Sequence, residues 1–416
     1  MLEIEKPIYR YVFLVLAAFA ACGLFPEGPA QALRGLLILQ RSPTRLVSDF
    51  TVIGGIGATL INASLVGAIA LLLVRLVKVR LSGPTIAAIF TLMGFSLFGN
   101  TPLNIAPIIL GVFLSSRIVR TPFSHYILIA LFGTALGPLV DFLVFEAGLT
   151  GVRAVLAGAV FGTAAGMLLP ALAMALLRLH EGFSLYNIGL TAGFIGLFAS
   201  SLLIAAQRDL SLTVIWNRNP SPYLYLAIPV LAGITLIWGL VLEGKKAAAG
   251  FLAIMKLSGR LPSDFMEMTS AGAAFFNMGA LGLLGSAYVF AVGGDFNGPT
   301  IGGLMTIMGF GAFGKHPRNC WPIMAGVLAA TLAFGKSPAA PAPLLAILFG
   351  TTLAPLAGEF GPIVGMIAGF LHLTVVERSG AWHGGLNLYN NGFAGGLTAV
   401  LIVAVLEWYR SNKSKW

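Results

Sequence analysis

Residues 83–112 recur as residues 298–327 with sixteen of thirty positions identical, an internal copy that excludes coincidence. The copies share Gly-Pro-Thr-Ile at Gly83–Ile86 and Gly298–Ile301, then Thr-x-Met-Gly-Phe at Thr91–Phe95 and Thr306–Phe310. They also share Pro-x-Asn-x-x-Pro-Ile-x-x-Gly at Pro102–Gly111 and Pro317–Gly326. The same register aligns Ser48-Asp49-Phe50 with Ser263-Asp264-Phe265, and Asn62 with Asn277. Further on, Leu131–Thr134 aligns with Leu348–Thr351, and after a deletion Gly158, Gly162 and Gly166 align with Gly361, Gly365 and Gly369. Each copy closes on a polar, glycine-rich stretch. The first is His180-Glu-Gly-Phe-Ser-Leu-Tyr-Asn187 and the second is His383-Gly-Gly-Leu-Asn-Leu-Tyr-Asn390. Self-similarity on this scale means one architecture written twice. The chain divides into a first repeat at 1–207, a polar, proline-containing connector at 208–221 and a second repeat at 222–416.

The repeats are transmembrane. The chain is 57% hydrophobic and 10% charged, against about 25% charged in a soluble domain. A net charge of +10 does not point to nucleic acid, because the basic residues sit in short loops between apolar runs, where lipid head groups and the positive-inside effect account for them. Cys22 and Cys320 lie in apolar segments and imply no disulfide. Residues 11–25 have the length of a signal-peptide core. The second repeat opens with a comparable span, so this segment is expected to belong to the body of the protein.

In the first repeat the apolar segments are about 9–25, 50–74, 84–98, 103–116, 122–145, 153–178 and 184–206. A spanning helix needs about 20 residues. Segments 84–98 and 103–116, with 299–313 and 318–331 in the second repeat, are too short. They are joined by Gly99-Asn-Thr-Pro102 and Gly314-Lys-His-Pro317. This predicts re-entrant hairpins or broken helices, with two short tilted helices as the alternative. Basic amphipathic stretches at Gly35–Leu46 and Gly250–Leu261 predict interfacial helices whose Arg and Lys reach the head groups.

Charge sets the orientation. Arg75, Lys78 and Arg80 follow the second span of the first repeat. The equivalent end of the second repeat, Gly293–Asn297, carries no basic residue, and Lys245, Lys246, Lys256 and Arg260 precede that span instead. Equivalent ends therefore fall on opposite sides, giving an inverted repeat. The basic tail Arg410-Ser-Asn-Lys-Ser-Lys415 puts both termini in the cytoplasm of a cell with this protein in its inner membrane. Arg34, Arg41 and Arg45 run against that assignment.

The polar residues written into both repeats are the candidate substrate-binding groups. Tyr186-Asn187 and Tyr389-Asn390, with His180 and His383, could donate and accept hydrogen bonds at a half-helix end; helix capping and packing are the structural alternative. Asn104 and Asn319 each lie between two prolines, where a freed backbone turn must line protein or water. Asn62 and Asn277 are read as bonds across helices, and Asp49 and Asp264 as N-caps. Glu359 and Asp141 are the coupling candidates, since an acid at membrane depth carries a proton or ion by default. No metal-ligand spacing, nucleophile elbow or phosphate loop occurs, so neither a metal nor another cofactor is expected, and no enzyme.

The Tyr-Asn element before an apolar span, as Gly182-Phe-Ser-Leu-Tyr-Asn187 and Gly385-Leu-Asn-Leu-Tyr-Asn390, resembles that of the urea transporters. The proline elements Asn100-Thr-Pro-Leu-Asn104 and Lys315-His-Pro-Arg-Asn319 depart from that family's pattern. The chain as a whole is more similar to an uncharacterised bacterial membrane-protein family with a His-x-Gly-x-x-Leu-Tyr-Asn signature. The urea-transporter resemblance implies inverted five-span halves and a channel for a small neutral solute. The expectation is therefore an all-α membrane protein of two inverted halves, with broken or re-entrant helices near the midplane. It would act as a channel or transporter for a small polar solute, embedded in lipid, with a homo-oligomer compatible. A proton- or sodium-coupled carrier using Glu359 or Asp141 is the first rival. An intramembrane enzyme using His383 and Glu359, or a lipid-binding scaffold, is the second.

Overall fold

The computed structural model describes residues 5–412 and is nearly all helix. The first repeat contributes α1 (Glu5–Cys22), α2 (Pro29–Leu39), α3 (Ile56–Leu76), α4 (Gly83–Phe95), α5 (Pro102–Ile118), α6 (Phe123–Glu146), α7 (Gly151–His180) and α8 (Asn187–Ala205). The second contributes their equivalents in order: α9 (Pro222–Glu243), α10 (Lys245–Ile254), α11 (Ala271–Ala291), α12 (Gly298–Phe310), α13 (Pro317–Ala333), α14 (Pro341–Phe360), α15 (Pro362–Trp382) and α16 (Asn390–Asn412). Among the described residues nine helices are long and apolar enough to cross a membrane: α3, α6, α7, α8, α9, α11, α14, α15 and α16. This is a multi-pass membrane protein. Lys413 and Lys415 of the basic tail lie outside the described residues.

The helix starts follow from local chemistry. Proline stands in the first turn of α2, α4, α5, α9, α12, α13 and α15, where its missing N–H costs nothing. Helices α4 and α12 are each 13 residues and stop at Phe95 and Phe310, short of a span as their sequence predicts. Helices α6 and α14 are interrupted by 3-10 turns at Thr134–Leu136 and Thr351–Leu353, the kind of interruption that marks a hinge.

Two crossings of equivalent helices form the centre. Helices α4 and α12 run antiparallel and touch through glycine: a Cβ on Gly94 would lie 2.7 Å from the Gly302 carbonyl oxygen, and Gly309 is equally tight against Phe90 and Ala87. Helices α8 and α16 cross where Gly189 meets Gly392, so closely that a Cβ on either would lie 2.8 Å from the other's Cα. Such close approach is how helices associate where lipid removes the hydrophobic drive. Gly94→Ala is expected to lower the melting temperature of the detergent-solubilised protein, because overpacking costs about 1–3 kcal/mol. Gly233→Ala, where a Cβ meets nothing within 4 Å, is expected to leave it unchanged. Equal melting temperatures for the two variants would remove the crossing as a constraint.

The repeats also hook into each other reciprocally. Asp49 accepts from the Gly298 N–H at 3.3 Å and Asp264 from the Gly83 N–H at 3.1 Å. Each carboxylate thereby caps the short helix of the opposite repeat while N-capping a turn of its own. Burial pushes both carboxyls up, against the lowering effect of these N–H donors. Arg45 donates to the Gly384 carbonyl at 3.1 Å, and Arg260 donates to that of Glu181 at 2.7 Å. Arg45 does not reach the head groups as its amphipathic context suggests. Helix α2 ends at Leu39, and the side chain turns inward to pair with Glu146 at 2.6 Å and to cover Phe142.

Candidate functional site

Leaving a helix at membrane depth frees carbonyls that need donors. After α4 the chain satisfies them one by one. Asn62, reaching across from α3, donates to the carbonyls of Ser96 and Asn100, both at 2.8 Å. The N–H groups of Phe50 and Ser48 take Leu97 and Phe98, and Asn104 takes Gly99 at 2.9 Å. The second break repeats the scheme: Asn277 donates to Gly311 and Lys315, both at 2.7 Å, Phe265 to Ala312, and Asn319 to Gly314 at 2.9 Å. Asn62 and Asn277 thus bond across helices as their position in the spans implies.

Asn104 and Asn319 sit in the first turn of α5 and α13, past the break rather than in it. Each accepts from the N-cap backbone N–H of its helix at 2.9 Å. The second amide hydrogen of Asn104 goes to Asp141 at 2.8 Å; that of Asn319 goes to the Ser258 carbonyl at 3.2 Å. Asp141 is buried, also accepts from Thr44 at 2.5 Å, and fills in the first repeat the place of that carbonyl. Both asparagines have every amide hydrogen committed to protein. Glu359 is exposed on α14 and lines a cavity of about 340 Å³ with Lys256, His316 and Asn319.

His180 and His383 are fully buried. Each ring bonds its own asparagine at 3.0 Å, His180 with Asn187 and His383 with Asn390. Asn187 then donates to the Ala173 carbonyl at 3.0 Å and Asn390 to that of Val376 at 2.9 Å. These four residues lock the turn between each long helix and the next. They hold Tyr186 and Tyr389 at the helix starts.

The two tyrosines meet. Their ring centroids lie 4.5 Å apart, each ring packing edge-on against a phenylalanine of a short helix: Tyr389 against Phe95 and Tyr186 against Phe310, both at 4.8 Å. Beside them is Lys315, with no exposure. Its ammonium donates to the Tyr186 hydroxyl and to Thr351 Oγ1 at 2.8 Å, and lies 4.4 Å from the Tyr186 ring centroid and 5.0 Å from that of Phe310. Among the described residues no carboxylate comes within ion-pair distance of it. Thr351 is the 3-10 turn of α14, and it also lines a cavity of about 440 Å³ with Ile307, Cys320 and Trp321. The equivalent of Lys315 is Asn100, which donates to Thr134 of the α6 turn at 3.1 Å.

Sequence reading selected the tyrosines and their asparagine and histidine supports, but passed over Lys315, Asn100, Thr134 and Thr351. The available signal was the lysine itself, standing in a break between two short apolar helices where the other repeat has a neutral asparagine. A family model described as Protein of unknown function (DUF1576) matches residues 29–205 and again residues 243–408, one segment in each repeat. No curated protein and no solved structure matches the chain.

Proposed function

We propose that this chain, which belongs to the DUF1576 family, is a membrane transporter that moves a small polar solute through a site between its two repeats, at Tyr186 and Tyr389. The observation that carries the reading is Lys315: a fully buried lysine whose amine meets, among the described residues, neutral oxygens and aromatic faces and no carboxylate. Ionisable groups at membrane depth are expensive and face substrate or ion routes. The antiparallel packing of α4 on α12 supports an inverted repeat, and the loop charges favour both termini in the cytoplasm. The close tyrosine pair favours a carrier that rearranges over the standing neutral pore that the urea-transporter resemblance implies. The 3-10 turns bearing Thr134 and Thr351 are suitable hinges.

An enzyme using His383 and Glu359 has less support, because His383 is committed to Asn390 while Glu359 stands exposed beside Asn319. The test is uptake by proteoliposomes of a panel of radiolabelled small polar solutes, both neutral and charged. Saturable uptake is expected, falling about tenfold, the worth of one hydrogen bond to a charged group, in the variant carrying Tyr186→Phe with Tyr389→Phe. Uptake unchanged in that variant would overturn the site. A panel with no uptake at all would overturn the transport reading.

A further inference from the structure

We infer that the second repeat holds a monoanionic phospholipid, its phosphodiester in a polar cavity walled by Lys256 and Arg318 and an acyl chain in the apolar groove next to it. The polar cavity, about 340 Å³, is lined by Lys256 from the turn after α10, by His316, Arg318 and Asn319 at the start of α13, and by Glu359 near the end of α14. The groove, about 440 Å³, runs between α11, α12 and α13, where Leu281, Leu284, Ile307 and Met324 line it. Met255, Arg318 and Trp321 belong to both. Leu284 and Trp321 are exposed, so the groove opens on the outer surface of the bundle. A charged chamber joined to an apolar groove fits a ligand with one charged end and one apolar end. Tryptophan at such a junction suits the level where head groups meet acyl chains.

The charges select the head group. His316 uses both ring nitrogens: Nε2 donates to the Leu257 carbonyl at 2.9 Å and Nδ1 accepts from the Asn319 N–H at 3.2 Å, which makes the ring neutral. Asn319 has its amide hydrogens committed to the Ser258 and Gly314 carbonyls. The groups left to meet a ligand are Lys256, Arg318 and Glu359. All three are exposed, and none forms an ion pair among the described residues. Two cations against one carboxylate leave one positive charge in excess, which a phosphodiester cancels and a zwitterionic head group does not. Phosphodiester oxygens accept from a guanidinium fork and from an ammonium, and a polyol head group brings hydroxyls that donate to Glu359. The first repeat lacks this set: Leu103 stands in place of Arg318 and Ala106 in place of Trp321.

The inference does not need the transport reading, because binding is read without flux. The full-length protein is melted in detergent micelles doped with phosphatidylglycerol, phosphatidylethanolamine or phosphatidylcholine of the same acyl chains. A further arm titrates inorganic phosphate into the phosphatidylcholine micelles. A saturable rise of the melting temperature with phosphatidylglycerol alone is expected. Arg318→Leu, which copies the first repeat, and Lys256→Gln should each weaken the apparent affinity by about tenfold, the worth of one hydrogen bond to a charged group. Lys246, exposed on α10, lines neither cavity. Lys246→Gln should leave the affinity unchanged, which separates a site from general attraction to anionic lipid. Equal responses to the three lipids would overturn the inference. So would a phosphatidylglycerol response that survives Arg318→Leu and Lys256→Gln, or one that Lys246→Gln weakens as much. A rise with inorganic phosphate alone would give the cavity to a free oxyanion and overturn the lipid assignment.

Discussion

Lys315→Met is expected to raise the melting temperature of the purified protein and to cut solute uptake by about 10- to 100-fold, the worth of a hydrogen bond from a charged donor. The two effects have one cause. Lys315 is fully buried, and its ammonium meets two hydroxyls and two aromatic faces and, among the described residues, no carboxylate. Cation–π contacts of this kind return about 2 kcal/mol when desolvated, and the two hydrogen bonds from the ammonium to hydroxyls offset part of the remainder. Stripping water from an ammonium costs several kcal/mol even after relaxation. Methionine keeps the unbranched stem and drops the charge, so the packing against Phe310 survives while the desolvation cost disappears. A residue that is costly to the fold and remains in place is the mark of a working group. Differential scanning fluorimetry and uptake on the same preparation check both halves of the claim. A lower melting temperature would make the lysine a structural strut, and full uptake would take it out of the transport route.

The largest loss of stability is expected from Asn62→Leu or Asn277→Leu. Either change strips donors from two carbonyls in a break that water does not reach: Ser96 and Asn100 in one repeat, Gly311 and Lys315 in the other. At about 1–3 kcal/mol for each unmet acceptor the cost is about 2–6 kcal/mol. Asn62→Asp separates this account from a packing one, because it keeps the shape and removes both donors. It should be at least as damaging as leucine. Size-exclusion profiles after a heat challenge check this, and an Asn62→Asp protein as robust as the parent would rule out the clamp.

Much of the fold was legible because it was written twice. The recurrence of Gly-Pro-Thr-Ile and of Pro-x-Asn-x-x-Pro located the short helices α4, α5, α12 and α13 and the breaks between them. The tyrosines at the starts of α8 and α16 were found for the same reason. What duplication hides is the residue that differs. Lys315 and Asn100 occupy equivalent positions with different chemistry, and a comparison that rewards identity passes over both. The roles of Asn104, Asn187 and their equivalents were not legible either. Whether an asparagine faces solute or saturates its own backbone depends on carbonyls such as Gly99 and Ala173, whose nearness is decided by the tertiary path. Arg45 misled for a related reason: periodicity places it on a polar face, but only the fold brings Glu146 within reach.

The reciprocal hooks bear on how the protein is made. During synthesis Arg45 leaves the ribosome long before Gly384, and Gly83 long before Asp264, so the first repeat must wait with one guanidinium donor and the Gly83 N–H unmet. Asp49 likewise has no Gly298 to receive. The membrane-inserted first repeat is therefore an intermediate whose most costly groups are held open for segments not yet translated. Its completion is a late event in which the second repeat docks onto a prepared template.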